Sequence, residues 1–478
     1  MMMDMSFSFA LPWLVLAAYC LIVLRLTPQA VTPAQFFAGA DARGAAPGLW
    51  LLVASAAITW IFAKSIANAA DLVGAFGIWG GIGYALYYLS FVVAGIAIYL
   101  IRVRGGHTSL SGFLTAKYGA ACARLFLIAV AIRLFNEVWS NTKVAALYFG
   151  AEGSGAYWTG VFFVTAFTVY YSWRGGLRSS IFTDGAQMIL AAVLLVMVLG
   201  IVWPGLLARG LPEIPASASI AGLTFCGLAL VQVLSYPFHD PVMTDRGFIT
   251  DPKVMIKGFA LAGLVAGVFI LLFSTVGLYG RAAGLSGGMA VAVPAALGLP
   301  VLLVFNAIML TSAGSTLDST FAAAAKLSAR DWAAARDAPS GNDARFGRGV
   351  MIAIAVLGNL PLLGIYLGDR IGPAIIAATT ISGTMVMGLA PIFLLSFIKS
   401  AGRASFHLAF WPGLVLGTLV TVESAAGVQI FPAWIDIGSG PYADNLGVNL
   451  YGLILCTAGY LAGAAIGAGR HPARQEKP

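Results

Sequence analysis

Ser235-Tyr-Pro-Phe-His-Asp-Pro241 interrupts the seventh of thirteen hydrophobic stretches in this 478-residue chain. Its two prolines, four residues apart, each remove a helix hydrogen bond. Five stretches earlier lies a second interruption, where Ala63-Lys-Ser-Ile-Ala-Asn-Ala-Ala-Asp71 puts a lysine, an asparagine and an aspartate into an otherwise apolar run. In lipid alone such segments would leave carbonyls without partners, so both must face protein or a water-filled cavity. Interrupted helices at corresponding positions of two five-helix halves are the sequence mark of an inverted-repeat membrane carrier, with its site at the breaks near the midplane.

The composition agrees. With 60% apolar and 10% charged residues and a mean hydropathy of +0.90, the chain departs from soluble domains, which carry about 25% charged residues. The stretches long enough to cross a core of about 30 Å are 8–27, 48–75, 77–103, 119–150, 156–174, 179–203, 221–243, 254–281, 296–329, 346–368, 372–398, 405–425 and 446–468. No loop or appendage between them is large enough for a separate soluble domain. An all-α integral membrane fold of about thirteen transmembrane helices is expected.

Orientation is read from the Lys/Arg bias of short loops. One set of loops holds twenty basic residues, among them Arg25, Arg102, Arg174, Arg246, Lys253, Lys326, Arg336, Lys399, Arg470, Arg474 and Lys477; the other holds only Arg209, Arg281 and Arg370. This puts the C-terminus in the cytoplasm and the N-terminus outside, in the plasma membrane. The net charge of +8 is thus a topology signal and gives no reason to expect nucleic acid. The segment Met1 to Cys20 lacks the basic start and cleavage site of a signal peptide and is kept as the first span. Cys20, Cys122, Cys226 and Cys456 show neither disulfide nor metal spacing.

Three groups of residues carry the chemistry. In Met309-Leu-Thr-Ser-Ala-Gly-Ser-Thr-Leu-Asp-Ser-Thr320, the side chains of Ser312, Ser315, Thr316 and Ser319 share one helical face. Such a face can hold a small hard cation, which takes several oxygen ligands; it can equally be a packing face of back-bonded hydroxyls. Asp318 and Asp184 lie about nine and six residues from the cytoplasmic ends of their helices, so at about 1.5 Å per residue they differ in height by only about 5 Å. Together they read as a cation site or a proton-sharing pair, or as two acids with separate polar partners.

Lys64 needs a partner: a solute carboxylate, a cation site that it fills as a built-in charge, or a salt bridge to Glu137, Asp240 or Asp318. The run containing Arg133, Asn136, Glu137, Trp139, Ser140, Asn141 and Lys143 is dense enough in polar groups for a cavity wall, although Arg133 and Glu137 can neutralise each other at i,i+4. His239 and Asp240 sit at the second break, facing a cavity or, for Asp240, capping the next helix. The expected solute cavity is Lys64, Asn68, Glu137, Trp139, His239 and Asp240. No nucleophile elbow, phosphate loop, HExxH or nucleotide fingerprint occurs, so no enzyme activity or cofactor is expected.

Ser154 through Ser179, ending in Tyr171-Ser-x-x-Gly-Gly-Leu-x-Ser and followed by Thr183-Asp184, resembles the signature of the solute:sodium symporter family, which includes the sodium/proline, sodium/glucose, sodium/iodide and sialic acid symporters. Phe36-Phe-Ala-Gly39 and the pair Ser315-Thr316 ahead of Asp331 are similar to further runs of that family. The resemblance implies a leucine-transporter-like fold in one domain over 1–478. In it, 8–27 and 405–468 are peripheral, spans two to seven and eight to twelve fall in 48–243 and 254–425, and the inverted repeats are 48–203 and 221–398. It implies a sodium site made by Ser315, Thr316 and the Ser312 carbonyl with carbonyls of Ala63 and Ile66, or of Lys64 and Ala67 one residue on. It also implies, as in some relatives, a second cation or proton site at Asp184, Asp318 and Ser319. Lys64 and Pro237-Phe-His-Asp-Pro241 depart from the family, so the solute is not carried over; the lysine and histidine favour a small carboxylate-bearing one.

The expected function is a sodium-coupled symporter that imports a small organic solute by alternating access, with Na+ as the coupling ion, as a monomer or loose oligomer in the lipid bilayer. The alternatives are a proton-coupled or sodium-independent transporter with Lys64 in place of the sodium, and a non-transporting membrane sensor.

Overall fold

The structure is a computed structural model that describes residues 2–332 and 343–469. The basic residues Arg336, Arg470, Arg474 and Lys477 of the loop reading lie outside the described residues. The helices, in chain order, are α1 (Met2–Leu26), α2 (Pro33–Ala38), α3 (Leu49–Trp60), α4 (Ala63–Phe76), α5 (Ile78–Leu86), α6 (Ser90–Val103), α7 (Leu110–Tyr118), α8 (Ala120–Ala146), α9 (Gly155–Arg209), α10 (Ala216–Gln232), α11 (Pro241–Arg246), α12 (Pro252–Ser274), α13 (Val276–Ala282), α14 (Met289–Leu297) and α15 (Leu299–Lys326). After the gap come α16 (Asp343–Leu357), α17 (Gly368–Ala378), α18 (Leu389–Leu394), α19 (Arg403–Ala426) and α20 (Ala443–Gly469).

The expected stretches lie on or across helices, except that 372–398 is helical only in α17 to Ala378 and in α18, with turns between them. Among the described residues, seven helices are long and apolar enough by themselves to cross a membrane, or eight when α3 and α4, bent by 60° at their junction, count as one span. The other stretches are short, as in α10, or polar, as in α8 with its buried Arg133 and Glu137. Helix α9 accounts for two of them. At 55 residues and about 1.5 Å per residue it would far overrun a bilayer if straight.

Instead α9 turns back at Gly176, whose φ of +54° and ψ of −143° are open to glycine alone. A Cβ there would stand 2.4 Å from the Phe36 carbonyl oxygen, because α2 packs across the turn. The two stretches that carried the family resemblance, Phe36–Gly39 and the Gly-Gly turn, therefore meet in space.

The core is built around α15. Every residue from Ile308 to Ala325 is buried, and the helix packs along α9, α8, α16, α1, α3 and α11. In contrast, the later part of α9 is two-faced: Ala191, Leu194, Val198 and Val202 are buried, while Ile189, Val193 and Val196 are more than half exposed, as a lipid-facing helix requires. A helix wrapped by others on all sides can carry polar groups at membrane depth only where neighbours satisfy them. That condition is met on the face that carries Ser312, Ser315, Thr316, Asp318 and Ser319.

Candidate functional site

The first break lies at Ile61 and Phe62, between α3 and α4. Ile61 (φ −79°, ψ 65°) and Phe62 (φ −59°, ψ 144°) leave the helical region, so the carbonyls just before them lose their helical partners. Side chains from other helices take them over. The Thr316 hydroxyl donates to the Thr59 carbonyl at 3.2 Å, the Tyr88 hydroxyl to the Trp60 carbonyl at 2.8 Å, and the Ser312 hydroxyl to the Ile61 carbonyl. The break is thus fastened to α15 by two of the hydroxyls expected to bind a cation.

This corrects the carbonyl register. Ala63 and Ile66, and equally Lys64 and Ala67, lie within α4, where carbonyls serve the helix itself. The oxygens that face Ser312 and Thr316 belong to Thr59 and Ile61. The break falls earlier than expected because no proline or glycine marks it.

One turn toward the basic-loop face lies a dense polar cluster around Asp184. Its Oδ2 accepts from Ser55 at 2.6 Å and lies 2.9 Å from Arg246 Nη2, and its Oδ1 accepts from Ser315. Arg246 Nη2 also reaches Ser319 at 2.7 Å, Thr59 at 3.1 Å and Ser180 at 3.4 Å, while Nε donates to Ser55 at 2.8 Å. Arg246 and Asp184 are 1% and 0% exposed. Arg246 was expected in a cytoplasmic loop; it ends the short helix α11 and points inward, so it drops out of the orientation argument.

Asp318 sits beside this cluster, also fully buried. It accepts from Tyr171 at 2.8 Å, Thr183 at 3.2 Å and Ser319 at 3.2 Å. Among the described residues no basic side chain lies within salt-bridge distance of it, and Asp184 alone has the guanidinium. The two acids are linked through Ser319, which donates to Asp318, and Thr59, 3.2 Å from Ser319 and donating to Asp184 at 3.4 Å. The structure therefore gathers Asp184, Asp318, Ser315 and Ser319 into one network, as their heights predict, with a cation from the protein itself in their midst.

Lys64 belongs to a separate cluster. Its ammonium donates to Glu137 at 2.8 Å and Asn136 at 3.0 Å; Arg133 pairs with the same Glu137 carboxylate and lies 3.6 Å from Asp240. Asp240 also caps α11, accepting from the amides of Val242 at 3.0 Å and Met243 at 3.1 Å. This two-cation, two-anion group ties α4 and α8 to the second break. Of the partners weighed for Lys64, the one it meets is Glu137, in a salt bridge.

A cavity at the breaks has a volume of about 640 Å³, and of the expected wall only Asn68 lines it. His239 is buried with its Nδ1 donating to the Tyr236 carbonyl at 2.5 Å, and Trp139 packs with Tyr157 and Leu362. Lys64, Glu137 and Asp240 are held in the ion cluster. The actual walls are Trp60, Phe62, Tyr84, Tyr87 and Tyr236 with the polar groups of Ser65, Gln232, Thr384 and Asn445, and Asp71 is the one charged residue. The Trp60 indole N–H, on this wall, has no hydrogen-bond partner in the structure. Tyr84 and Tyr87 come from the Gly-rich start of the third stretch, which carried no polar signal, and Tyr236 from the second break.

The cavity lies toward the face of Arg281, whose guanidinium holds the Gly74 carbonyl at 2.9 Å. On the opposite face Lys326 pairs with Asp245, Ser111 donates to Asp331 at 2.8 Å, and Arg102 donates to the carbonyls of Gly247 and Thr250 at 2.8 and 2.6 Å.

No protein-family model matches the chain, and no curated protein matches it. Solved structures do. A Na+-coupled sialic acid symporter in a substrate-bound outward-open state is similar at a TM-score of 0.68 and 14% identity, over 96% of this chain and 98% of that one. Mhp1, a nucleobase-cation-symport-1 family transporter in a closed conformation with bromovinylhydantoin, gives 0.55 and 15% over 93% and 98%. A manganese transporter of Eremococcus coleocola gives 0.53 and 11% over 88% and 95%. At these identities the likeness is one of fold: the chain is an all-α integral membrane protein of the leucine-transporter-like architecture.

Proposed function

We propose that the protein is a sodium-coupled symporter of the solute:sodium symporter kind, importing a small solute by alternating access. The observation that carries this reading is the junction of the α3–α4 break with α15, where carbonyls of Thr59 and Ile61 face hydroxyls of Thr316 and Ser312. These are oxygen ligands of the type a hard cation takes, drawn from two helices that must move apart for the site to open. Sodium bound there exchanges the hydroxyl–carbonyl bonds for ion contacts and fixes the break for the solute beside it. Its binding therefore raises solute affinity, and the solute raises sodium affinity by the same factor. Each sodium entering a cell down about 100 mV supplies about 2.3 kcal/mol before its concentration gradient is counted.

The cavity supports a small solute: its volume of about 640 Å³ lies within the roughly 300–1,000 Å³ usual for ligand sites. Aromatic and amide walls with Asp71 as the charged member favour a neutral, hydrogen-bonding solute with a flat or apolar side over the carboxylate-bearing one expected earlier. With the cavity toward the face poor in basic loop residues and ion pairs across the opposite face, the arrangement fits an outward-open state in the plasma membrane.

Proton coupling is a second reading, favoured by Asp318, a buried acid with only hydroxyl donors. Uptake into proteoliposomes with sodium and proton gradients imposed separately decides between them: uptake driven by sodium alone supports the first reading, and uptake driven by protons alone overturns it.

A further inference from the structure

A cavity of about 630 Å³ opens between the end of α1, the segment that joins α2 to α3, and α9 just past its Gly176 turn. Arg25, Arg43 and Arg178 line it, and Asp41 is its one acid. Asp41 serves its own loop, where Oδ1 accepts from the amides of Arg43 at 2.7 Å and Ala45 at 2.8 Å. Among the described residues no carboxylate stands within salt-bridge distance of the three guanidiniums. Arg178 donates to the Gln29 carbonyl at 2.8 Å, a neutral partner. Three positive charges against one negative leave the lining at plus two, whereas the buried cations elsewhere are matched, Arg246 by Asp184 and Arg133 by Glu137.

Guanidiniums gathered around a pocket suit phosphate oxygens, which they hold two at a time. Pro47 and Leu51 bring the start of α3 to the same wall, and its N-cap Gly48 has no side chain to offer the first-turn amides. The positive end of that helix adds to the attraction for an anion.

The apolar surroundings say which anion. Leu21 and Ile22, one turn before Arg25 on α1, are more than half exposed. Phe182, on the cavity wall, begins an exposed stripe on α9 that continues through Ile189, Val193 and Val196. At about 1.5 Å per residue the stripe climbs about 21 Å, well into a hydrocarbon core of about 30 Å. A soluble phosphate would meet the arginines alone; a phospholipid meets the arginines and the stripe together.

We propose that this cavity binds an anionic phospholipid, its headgroup phosphate held by Arg25, Arg43 and Arg178 and its acyl chains lying along α1 and the second half of α9. The bound lipid ties α1 and α9 to α3, the helix that carries the first break. This site does not depend on which ion is coupled to transport.

The test follows the unfolding temperature of the purified protein in a nonionic detergent, with phosphatidylglycerol, phosphatidylcholine of the same chains, or inorganic phosphate added at constant sodium and ionic strength. Phosphatidylglycerol is expected to give a saturable rise that the other two do not. In Arg25→Gln with Arg43→Gln, both exposed, the half-saturating mole fraction should increase at least about tenfold. Arg104→Gln with Lys257→Gln, exposed basic residues outside the cavity, should leave it unchanged. Ala42→Glu, which puts an acid on the exposed lining, should weaken binding likewise and stands in if the arginine variant fails to fold. An equal rise with phosphatidylcholine, an equal loss in the control variant, or an unchanged titration in the cavity variants overturns the proposal. A phosphate response that the cavity variants abolish assigns the site to a soluble anion and overturns the lipid.

Discussion

Arg246 Nη2 stands 2.9 Å from Asp184 Oδ2, with both side chains buried, and this contact joins α11 to α9 across the polar centre of the protein. Removing one partner of such a pair leaves the other charged and buried. Arg246→Gln and Asp184→Asn should each destabilise the protein by about 3–5 kcal/mol, whereas the neutral double variant Arg246→Gln with Asp184→Asn should lose less than the sum. Chemical unfolding of the four proteins in one detergent checks this as a double-mutant cycle; strict additivity would mean that the two groups act independently.

Ser315→Ala with Thr316→Ala removes the Thr316 hydroxyl of the proposed sodium site and the neighbouring Ser315 hydroxyl that the family resemblance adds to it. The half-saturating sodium concentration should rise at least about tenfold, equivalent to about 1.4 kcal/mol, with a smaller change in solute affinity measured at saturating sodium. Sodium-dependent fluorescence or unfolding reads the first quantity without knowledge of the solute. An unchanged sodium dependence would remove these residues from the site.

Trp60 is part of the cavity wall, and its buried indole N–H has no hydrogen-bond partner, which a solute bound against the ring is expected to supply. Trp60→Phe keeps most of the ring and deletes the donor, so solute KM should rise roughly 2- to 13-fold, as expected for a hydrogen bond worth about 0.5–1.5 kcal/mol. Thermal stability should hardly change, since no protein acceptor is lost. A fall in stability with unaltered KM would assign Trp60 to packing instead.

Gly176→Ala places a Cβ 2.4 Å from the Phe36 carbonyl oxygen at a φ of +54°. The turn in α9 must then distort, at about 1–3 kcal/mol or more with the steric overlap, and the yield of folded protein should fall. Phe36→Ala in the same background relieves the overlaps with the ring at 2.6 and 2.8 Å but should not restore the yield, because the closest clash is with the backbone oxygen and the positive φ remains.

Several of these relationships could be read from the chain itself. The two interrupted stretches mark the paired breaks, and helix geometry puts Asp184 and Asp318 at one depth before any contact is seen. Two features could not be read that way. The kink at Ile61 and Phe62 has no proline or glycine, so the carbonyl register slid by several residues onto Ala63 and Ile66. Arg246 follows Pro241 by only five residues and was counted among loop cations, since charge bias cannot tell an arginine facing solvent from one turned inward. A usable signal was there: Thr244, Asp245 and Arg246 follow directly on a broken helix, where side chains can point into a polar interior. Lys64 was legible in one of its readings: the salt bridge to Glu137 forms, although that partner lies on α8, more than seventy residues along the chain, while the same residues do not line the cavity.

The most direct test of the account is solute uptake by reconstituted protein, using a compound selected by thermal shift from amino acids, organic acids, sugars and nucleobases. Uptake is measured with an inward sodium gradient, an inward proton gradient, or neither. The account predicts accumulation with the sodium gradient that is lost in Ser315→Ala with Thr316→Ala. Equal accumulation in sodium-free medium, or accumulation that follows only the proton gradient, would contradict it.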